Sequence, residues 1–322
     1  MSKKNYPLII GLTLSLFFAT IAIWGPGLAP KDPAELFKAI KLDDQWHTAP
    51  FRPGELEPFP LGTDDVGRDL LSRILWAVRP TFVMALWVMA TRIVLGVLLG
   101  LLAGWYQGAI ERVIDYLISI SVAMPTLVFA IGVILLLGIE GGLRNFIIAM
   151  SLTGWADTAN LVKSRTLSII QEPFIEGAQA VGLGNWGILW RYVLPQLWPI
   201  LPSMMAFELG SITLLTAELG FLGIFLGGGQ IVTVPDPNSG SFLLSLSDGT
   251  PELGQMLADF WGKIILAPWT PLYVGILVFT EIFAFNMLGE GLRRYMDVTR
   301  PHPVRWRSLF KRQRREPDLV AS

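Results

Sequence analysis

Long runs of apolar residues without a single charged side chain decide what this chain can fold into. Leu8 to Trp24 is one such run, following Lys3 and Lys4. At about 1.5 Å per residue it approaches the ~30 Å hydrocarbon thickness of a bilayer. Tyr116 to Ile139 is a second uncharged run, and Thr81 to Gly104 a third, interrupted only by Arg92. Asn145 to about Val162 is the weakest of the set because it holds Asp157, while about Ile200 to Leu222 and Pro268 to Glu290 each hold an internal glutamate. Composition agrees: 52% of the 322 residues are hydrophobic and only 16% charged, well short of the about 25% that keeps a soluble surface wet. The sequence predicts an all-α, polytopic membrane helix bundle of six transmembrane helices.

The same composition excludes several chemistries. There is no cysteine, so disulfides, thiolate metal sites and cysteine nucleophiles are out, and the two histidines, His47 and His302, stand far apart. No catalytic residues and no metal site are expected. A signal peptide is the alternative reading of the first run. It fails because the run exceeds the usual ~7 to 15 residues of a signal core, and because Pro30 directly follows the small residues Gly27 to Ala29.

Orientation follows from where positive residues gather, because lysine and arginine near span ends resist translocation. From Arg293 to Arg315 there are nine basic residues against one acid, Asp297, which assigns that end to the cytoplasm. Six spans then place the N-terminus inside as well. Gly223 to Ala267 falls outside, with Asp236, Asp248, Glu252 and Asp259 against Lys263, and Lys163 to Pro199 falls inside. The resulting organisation is a first helix (1–24), an external loop with an amphipathic helix (25–80), a five-helix core (81–292) and a basic cytoplasmic tail (293–322). Within the core lie a cytoplasmic loop at 171–195 and an external insertion at 227–265, rich in Gly, Pro, Ser and Asp from 227 to 250. No internal repeat is visible. Arg92, Glu208 and Glu281 lie roughly 12 to 18 Å from the cytoplasmic ends of their spans, so Arg92 is expected to pair with Glu281 or Glu208, or else to face a partner or a wet cavity. Trp24, Trp76, Trp105 and Trp269 suit interface anchors.

The cytoplasmic loop reads as a helix, a glycine hinge and a second helix. Pro173 suits a first helical position, Glu172 and Glu176 favour the N-terminal end, and Gly182 suits a left-handed closure. Phe174, Ala178 and Val181 fall on one face of the first helix. The second shows Trp186, Leu189, Trp190 and Val193 on a stripe that Pro195 should end. Such a knuckle is either an elbow joining two spans or a docking element.

Glu176, Ala178, Gly182, Leu194 and Pro195 stand at the spacing of the EAA loop of ABC importer permeases, which this segment resembles; Gly177 replaces an alanine and Tyr192 an apolar residue. The segment Gly62, Thr63, Asp64, Asp65, Val66, Gly67, Arg68, Asp69 resembles the one preceding the second span in one permease subunit of dipeptide, oligopeptide and nickel importers. Ala284 to Arg293, Glu218 to Gly223 and Pro251 to Leu257 fit the same subunit. The resemblance implies a second homologous permease, two ATPase subunits that carry the ATP and Mg, an extracytoplasmic substrate-binding protein, surrounding lipid, and a bacterial or archaeal cytoplasmic (inner) membrane. It assigns Glu176, Gly177, Ala178, Gly182, Leu194 and Pro195 to ATPase coupling, to which the helical face read above adds Phe174 and Val181, and it leaves the solute open.

Other motifs carry less. Gly182-x-Gly184-x-x-Gly187 spells a dinucleotide fingerprint, but it lacks a strand on its N-terminal side, and prolines interrupt the segment on its C-terminal side. No Gly-x-x-x-x-Gly-Lys-Ser/Thr phosphate loop occurs, so no ATP site is expected in this chain. Asp64, Asp65 and Asp69 suggest a hard-cation site, but helix initiation with Asp65 as cap, ahead of the stripe Leu70, Leu71, Ile74, Leu75 and Val78, fits better beside Arg68. The basic tail suits lipid headgroups rather than nucleic acid. Two other function classes remain: an intramembrane enzyme using Asp157, Glu208 or Glu281, and a proton-coupled carrier.

Overall fold

The computed structural model describes residues 5–42, 45–138, 141–226, 231–235, 242–246 and 251–296. The basic tail beyond Met296, and with it most of the charge used for orientation, lies outside the described residues. Within them, α1 (Tyr6–Leu28) starts on Asn5, whose side chain accepts from the Leu8 N–H, with Pro7 in the first turn. α2 (Leu70–Trp105) is one helix of 36 residues. It fuses the amphipathic segment expected in the external loop with the span expected from Thr81, passing through Pro80 without a break. Its cap is Asp69 rather than Asp65: Asp69 Oδ2 accepts the Ser72 N–H at 2.9 Å.

Two other expected spans are broken. Tyr116 to Ile139 falls on α3 (Ala109–Ala123) and α4 (Thr126–Leu137), which are bent by 95° at Met124 and Pro125. Pro125 biases the residue before it toward extended backbone, and Met124 has ψ 130°. Asn145 to Val162 falls on α5 (Gly142–Leu152) and α6 (Trp155–Ile169), separated at Thr153 and Gly154. Among the described residues four single helices, α1, α2, α10 (Leu201–Phe221) and α13 (Trp269–Met296), are long and apolar enough to cross a membrane, and the bent pair, counted as one span, makes a fifth. Between α6 and α10 run α7 (Pro173–Ala180), α8 (Asn185–Ile188), a π turn (Leu189–Val193) and α9 (Leu194–Leu197). α11 (Leu253–Leu257) and α12 (Phe260–Leu266) precede α13.

Two antiparallel ladders decorate the bundle. β1 (Ala39–Leu42) pairs with β2 (Gln45–Thr48), and β3 (Ile231–Pro235) pairs with β4 (Phe242–Leu246) inside the insertion that the sequence suggested was only a loop. Beside β1 and β2, Phe51, Leu56 and Phe59 make a small buried core with Phe37, and the Lys31 ammonium sits 3.3 Å from the Phe59 ring centroid.

The main core joins α2, α4, α5, α10 and α13 through Met84, Val88, Ile134, Phe146, Met150, Ile212 and Phe285. Helices approach closely where glycines recur. Gly96, Gly100 and Gly104, spaced by four on α2, face α6: a Cβ at Gly96 would lie 2.5 Å from Thr158 Cβ, and one at Gly100 2.6 Å from the Ala159 oxygen. Small residues at this spacing let backbones pack where lipid offers no hydrophobic drive. α1 lies antiparallel on α13 by the same means, with Gly11 against Leu288 and Gly291 against Leu8. Replacing Gly100 with valine should therefore cost about 1–3 kcal/mol or more by overpacking, lowering the thermal unfolding midpoint of the purified protein, whereas Gly132→Val, where no atom lies within 4 Å, should not.

Candidate functional site

The knuckle between α6 and α10 is built as a closed helix on a buried base. α7 ends in a left-handed Gly182 (φ 84°); the Leu183 N–H reaches the Ala178 oxygen at 3.2 Å and the Gly182 N–H the Gln179 oxygen at 2.9 Å, the paired bonds of a Schellman closure. Ala178 is 6% exposed and packs with Ile175, Ile188, Leu189 and Val193 over Leu101 and Trp105, the last turn of α2. The face expected from Phe174, Ala178 and Val181 is therefore split. Phe174 (40% exposed) and Val181 (84%) point out with Gly177, where an added Cβ would meet nothing within 4 Å, while Ala178 points in. Phe174 stacks on Tyr192, their centroids 6.4 Å apart, which ties the two halves of the knuckle together. Glu176 is exposed.

Pro195 does not end the second helix. It lies in the first turn of α9, and the preceding π turn carries the chain through, with the Leu194 N–H bonded to the Leu189 oxygen. A four-residue period drifts about 40° per repeat on an α-helix, and the wider π turn removes part of that drift. The single stripe read from the sequence is consequently two: Leu189, Val193 and Leu197 are buried, and Trp186, Trp190 and Trp198 are exposed.

At the opposite end of α2 the segment from Gly62 to Asp69 forms a buried polar cluster. Gly62 and Gly67 have φ of 73° and 98°, and both sit where a Cβ would strike backbone. Asp64 Oδ2 lies 2.8 Å from Arg68 Nε and 3.4 Å from Arg73 Nε. Burial alone would push the Asp64 carboxyl up, but the two guanidiniums outweigh it and hold the group below the usual carboxylate range. Arg73 also donates to the Gln255 side chain at 2.9 Å and to the Pro33 oxygen, and the Trp269 indole donates to the Thr63 oxygen at 2.7 Å. Trp269 is thus a structural tie, whereas Trp24 and Trp76 are exposed. Lys263, buried beside Asp65 and Asp64, donates to the Met256 oxygen. Glu252 accepts from Leu226 N–H at 3.0 Å, anchoring the root of the insertion, and burial pushes its carboxyl up to about 7. Among the described residues no group of three or more His, Asp or Glu is placed to hold a metal ion.

Inside the bundle Arg92 is held through all three of its guanidinium nitrogens. Its Nη1 lies 3.0 Å from Glu208 Oε2, Nε donates to the Met150 oxygen at 2.8 Å, and Nη2 donates to Thr153 Oγ1 at 2.6 Å. The break between α5 and α6 closes around this side chain: Gly154 has φ 73°, and a Cβ there would lie 2.6 Å from Arg92 Nη1. Neither Thr153 nor Gly154 stood out in the sequence; a glycine following a threonine inside an apolar run was the available signal. Of the two carboxylates at comparable depth, Arg92 reaches Glu208 and not Glu281. Glu281 is fully buried, and among the described residues neither of its oxygens has a partner. Lys163 is tied to Glu111 and Asp115 at 2.8 and 2.7 Å, joining α3 to α6.

Multiple apolar spans, a helical knuckle hung from the longest of them and a buried polar cap at its other end define a multi-pass membrane permease. Residues 96–241 match the family described as "Binding-protein-dependent transport system inner membrane component". The chain is 31% identical over 295 residues to the dipeptide transport system permease protein DppC of Alkalihalophilus pseudofirmus, covering 92% of this chain and 86% of that protein. It is 28% identical to the glutathione transport system permease protein GsiD of Pectobacterium atrosepticum, covering 92% and 87%. The fold is similar to a chain of the MetNI methionine ABC transporter in inward-facing conformations, with a TM-score of 0.52 at 17% identity, covering 69% of this chain and 97% of that one. The chain belongs to the ABC importer permeases of the peptide family. It is a translocation subunit in the inner membrane, not an enzyme, and its family works with ATPase and binding-protein partners.

Two measurements test the site's electrostatics. Arg92→Met should cost about 3–5 kcal/mol because it leaves Glu208 unpaired in the bundle, and adding Glu208→Met should restore part of that loss, read as non-additivity of unfolding midpoints. Glu252 has a folded pKa raised above its unfolded value, so its contribution to stability is fully present in acid and is lost as pH rises through about 7. Thermal midpoints of Glu252→Gln should accordingly fall less than wild type between mildly acidic and mildly alkaline buffer.

Proposed function

We infer that the chain, with a second homologous permease, lines a pathway for short peptides and that its knuckle couples this pathway to ATP hydrolysis on partner subunits. The carrying observation is the exposed pair Phe174 and Val181 on a helix whose other face is rooted on the end of α2. A groove in an ATPase would cover the outward face, and closure of the ATPases on ATP would move the knuckle and, through α2, the spans. Relatives named for dipeptides, di/tripeptides and glutathione support a peptide substrate; oligopeptides and nickel are the further solutes to try. Six crossings, with the bent α3–α4 pair and the α5–α6 pair each counted as one, would put both ends in the cytoplasm, and the lipid contacts fall on the exposed apolar faces of α1 and α13. The segment Gly62 to Asp69 serves as the outer brace of the bundle, and Arg92 with Glu208 as its inner one.

Because Ala178 faces inward, the decisive substitution is at Val181. Val181→Asp sets a charge in the docking face without touching the knuckle's core, and a loss of even ~1.4 kcal/mol of docking free energy weakens association about tenfold. It should reach the membrane in normal amount yet lose most ATP-driven uptake and ligand-stimulated ATPase activity. Gly182→Val, which must strain a left-handed position, should do the same. Normal uptake by Val181→Asp in reconstituted vesicles would remove the coupling role. Topology is checked independently: single cysteines at Ser2, Ser239 and Ser322 should react with an impermeant reagent in whole cells only at 239.

A further inference from the structure

Glu281 sits in the seam where α13 packs against α1, α2 and α10. It is fully buried, and both carboxyl oxygens are closed off from solvent and without a hydrogen-bond donor among the described residues. The residues sharing its face, Val274, Val278, Ala284 and Phe285, are buried and apolar. From the other side, the antiparallel register that sets Gly11 beside Leu288 sets Phe18 at the level of Glu281. Phe18 is fully buried too. An ionised carboxylate in such a place has neither water nor a counter-charge to hold it, and a group in that situation gives up its charge.

The charged and titratable groups on the packed helices are all committed or distant. α1 has no charged residue, and its one titratable group, Tyr6, begins the helix. On α2, Arg92 is spent on Glu208, Met150 and Thr153, and Arg73 on Asp64, Pro33 and Gln255; Arg79 is exposed. On α10, Glu208 is the partner of Arg92, and Glu218 lies in the last turn; both are acids and offer no positive charge. α11 has no charged residue of its own, Glu252 just before it is bonded to Leu226, and Lys263 of α12 is bonded to Met256. Along α13 itself, Tyr273 and Glu290 are eight and nine residues away, about 12–14 Å at helical rise, and Arg293 and Arg294 are held by Glu290.

We propose that Glu281 is a proton-binding site: in this packing it is carried as the neutral acid, and it releases its proton only when the seam between α13 and its neighbours opens to water. The step is a bare protonation, with water or buffer as acceptor when the seam parts. The inference stands on packing alone and does not rest on the transport reading. It makes the seam proton-linked, because a conformation that wets Glu281 is favoured as pH rises and one that buries it is favoured as pH falls.

The test uses the full-length protein reconstituted in lipid nanodiscs. The infrared difference spectrum between wild type and Glu281→Gln at neutral pH should show loss of a protonated-carboxyl carbonyl band; loss of carboxylate bands instead overturns the proposal. Wild type alone gives a second readout that needs no variant. A membrane-soluble carbodiimide, which reacts with protonated carboxyls, should modify Glu281 by mass spectrometry far more slowly as pH is raised, while a water-soluble carbodiimide leaves it untouched. Modification by the water-soluble reagent, or none by either, overturns it. Finally, the unfolding midpoint of wild type should fall with rising pH relative to that of Glu281→Gln, and parallel curves for the two proteins count against a titrating group in the seam.

Discussion

Arg92 governs the centre of the bundle. A guanidinium inside a membrane protein needs a counter-charge and hydrogen-bond acceptors, because an unpaired charge away from water costs several kcal/mol. One carboxylate does not serve all three guanidinium nitrogens, and Nε and Nη2 reach the Met150 oxygen and Thr153 Oγ1. The chain stops being helical there, and the Met150 oxygen accepts from Arg92 Nε together with the Thr153 N–H and hydroxyl. The break at Gly154, the split of α5 from α6 and Glu208 on α10 thus meet around one buried cation.

Close backbone contact is the second organising constraint. With lipid outside, helices gain little from burying apolar side chains against one another, and association depends on how near the backbones come. Glycines at 96, 100 and 104 open α2 to α6, and Gly11 and Gly291 open α1 and α13 to each other. Gly220 and Gly254 do the same between α10 and α11, where a Cβ on Gly220 would lie 2.1 Å from the Gly254 oxygen.

These two constraints explain which features were legible in the sequence. The apolar runs from Leu8, Thr81, Ile200 and Pro268 become single helices because length and lack of charge are properties of the run itself. Gly182 was legible for the same local reason: a glycine after a short capped helix has a left-handed role whatever surrounds it. Where the outcome depended on a distant partner, local reading failed. Asn145 to Val162 looked continuous because the partner of its break, Arg92, stands about sixty residues earlier. Asp65 looked like the cap, yet Asp69 was free to cap because Arg68 and Arg73 hold Asp64 and pin the turn before it. Ala178 and Val181 look equivalent on a helical wheel; only the last turn of α2 beneath the knuckle decides that one is core and the other surface.

The length of α2 is explained by the attachments at its two ends. At about 54 Å it is longer than a bilayer core requires, so it projects beyond the apolar layer. Its N-terminus is held by the Asp69 cap within the buried polar cluster, and through Arg73 it is tied to α11; its last turn carries Leu101 and Trp105 into the base of the knuckle. A break at Pro80 would have separated these attachments mechanically. Because the helix runs through it, the knuckle and the buried, hydrogen-bonded polar cluster are attached to one continuous rod. The polar cluster, the glycine face toward α6 and the base of the knuckle are therefore joined through one element, and the buried charges satisfied at one end of α2 lie on the same unbroken helix as the apolar base at the other.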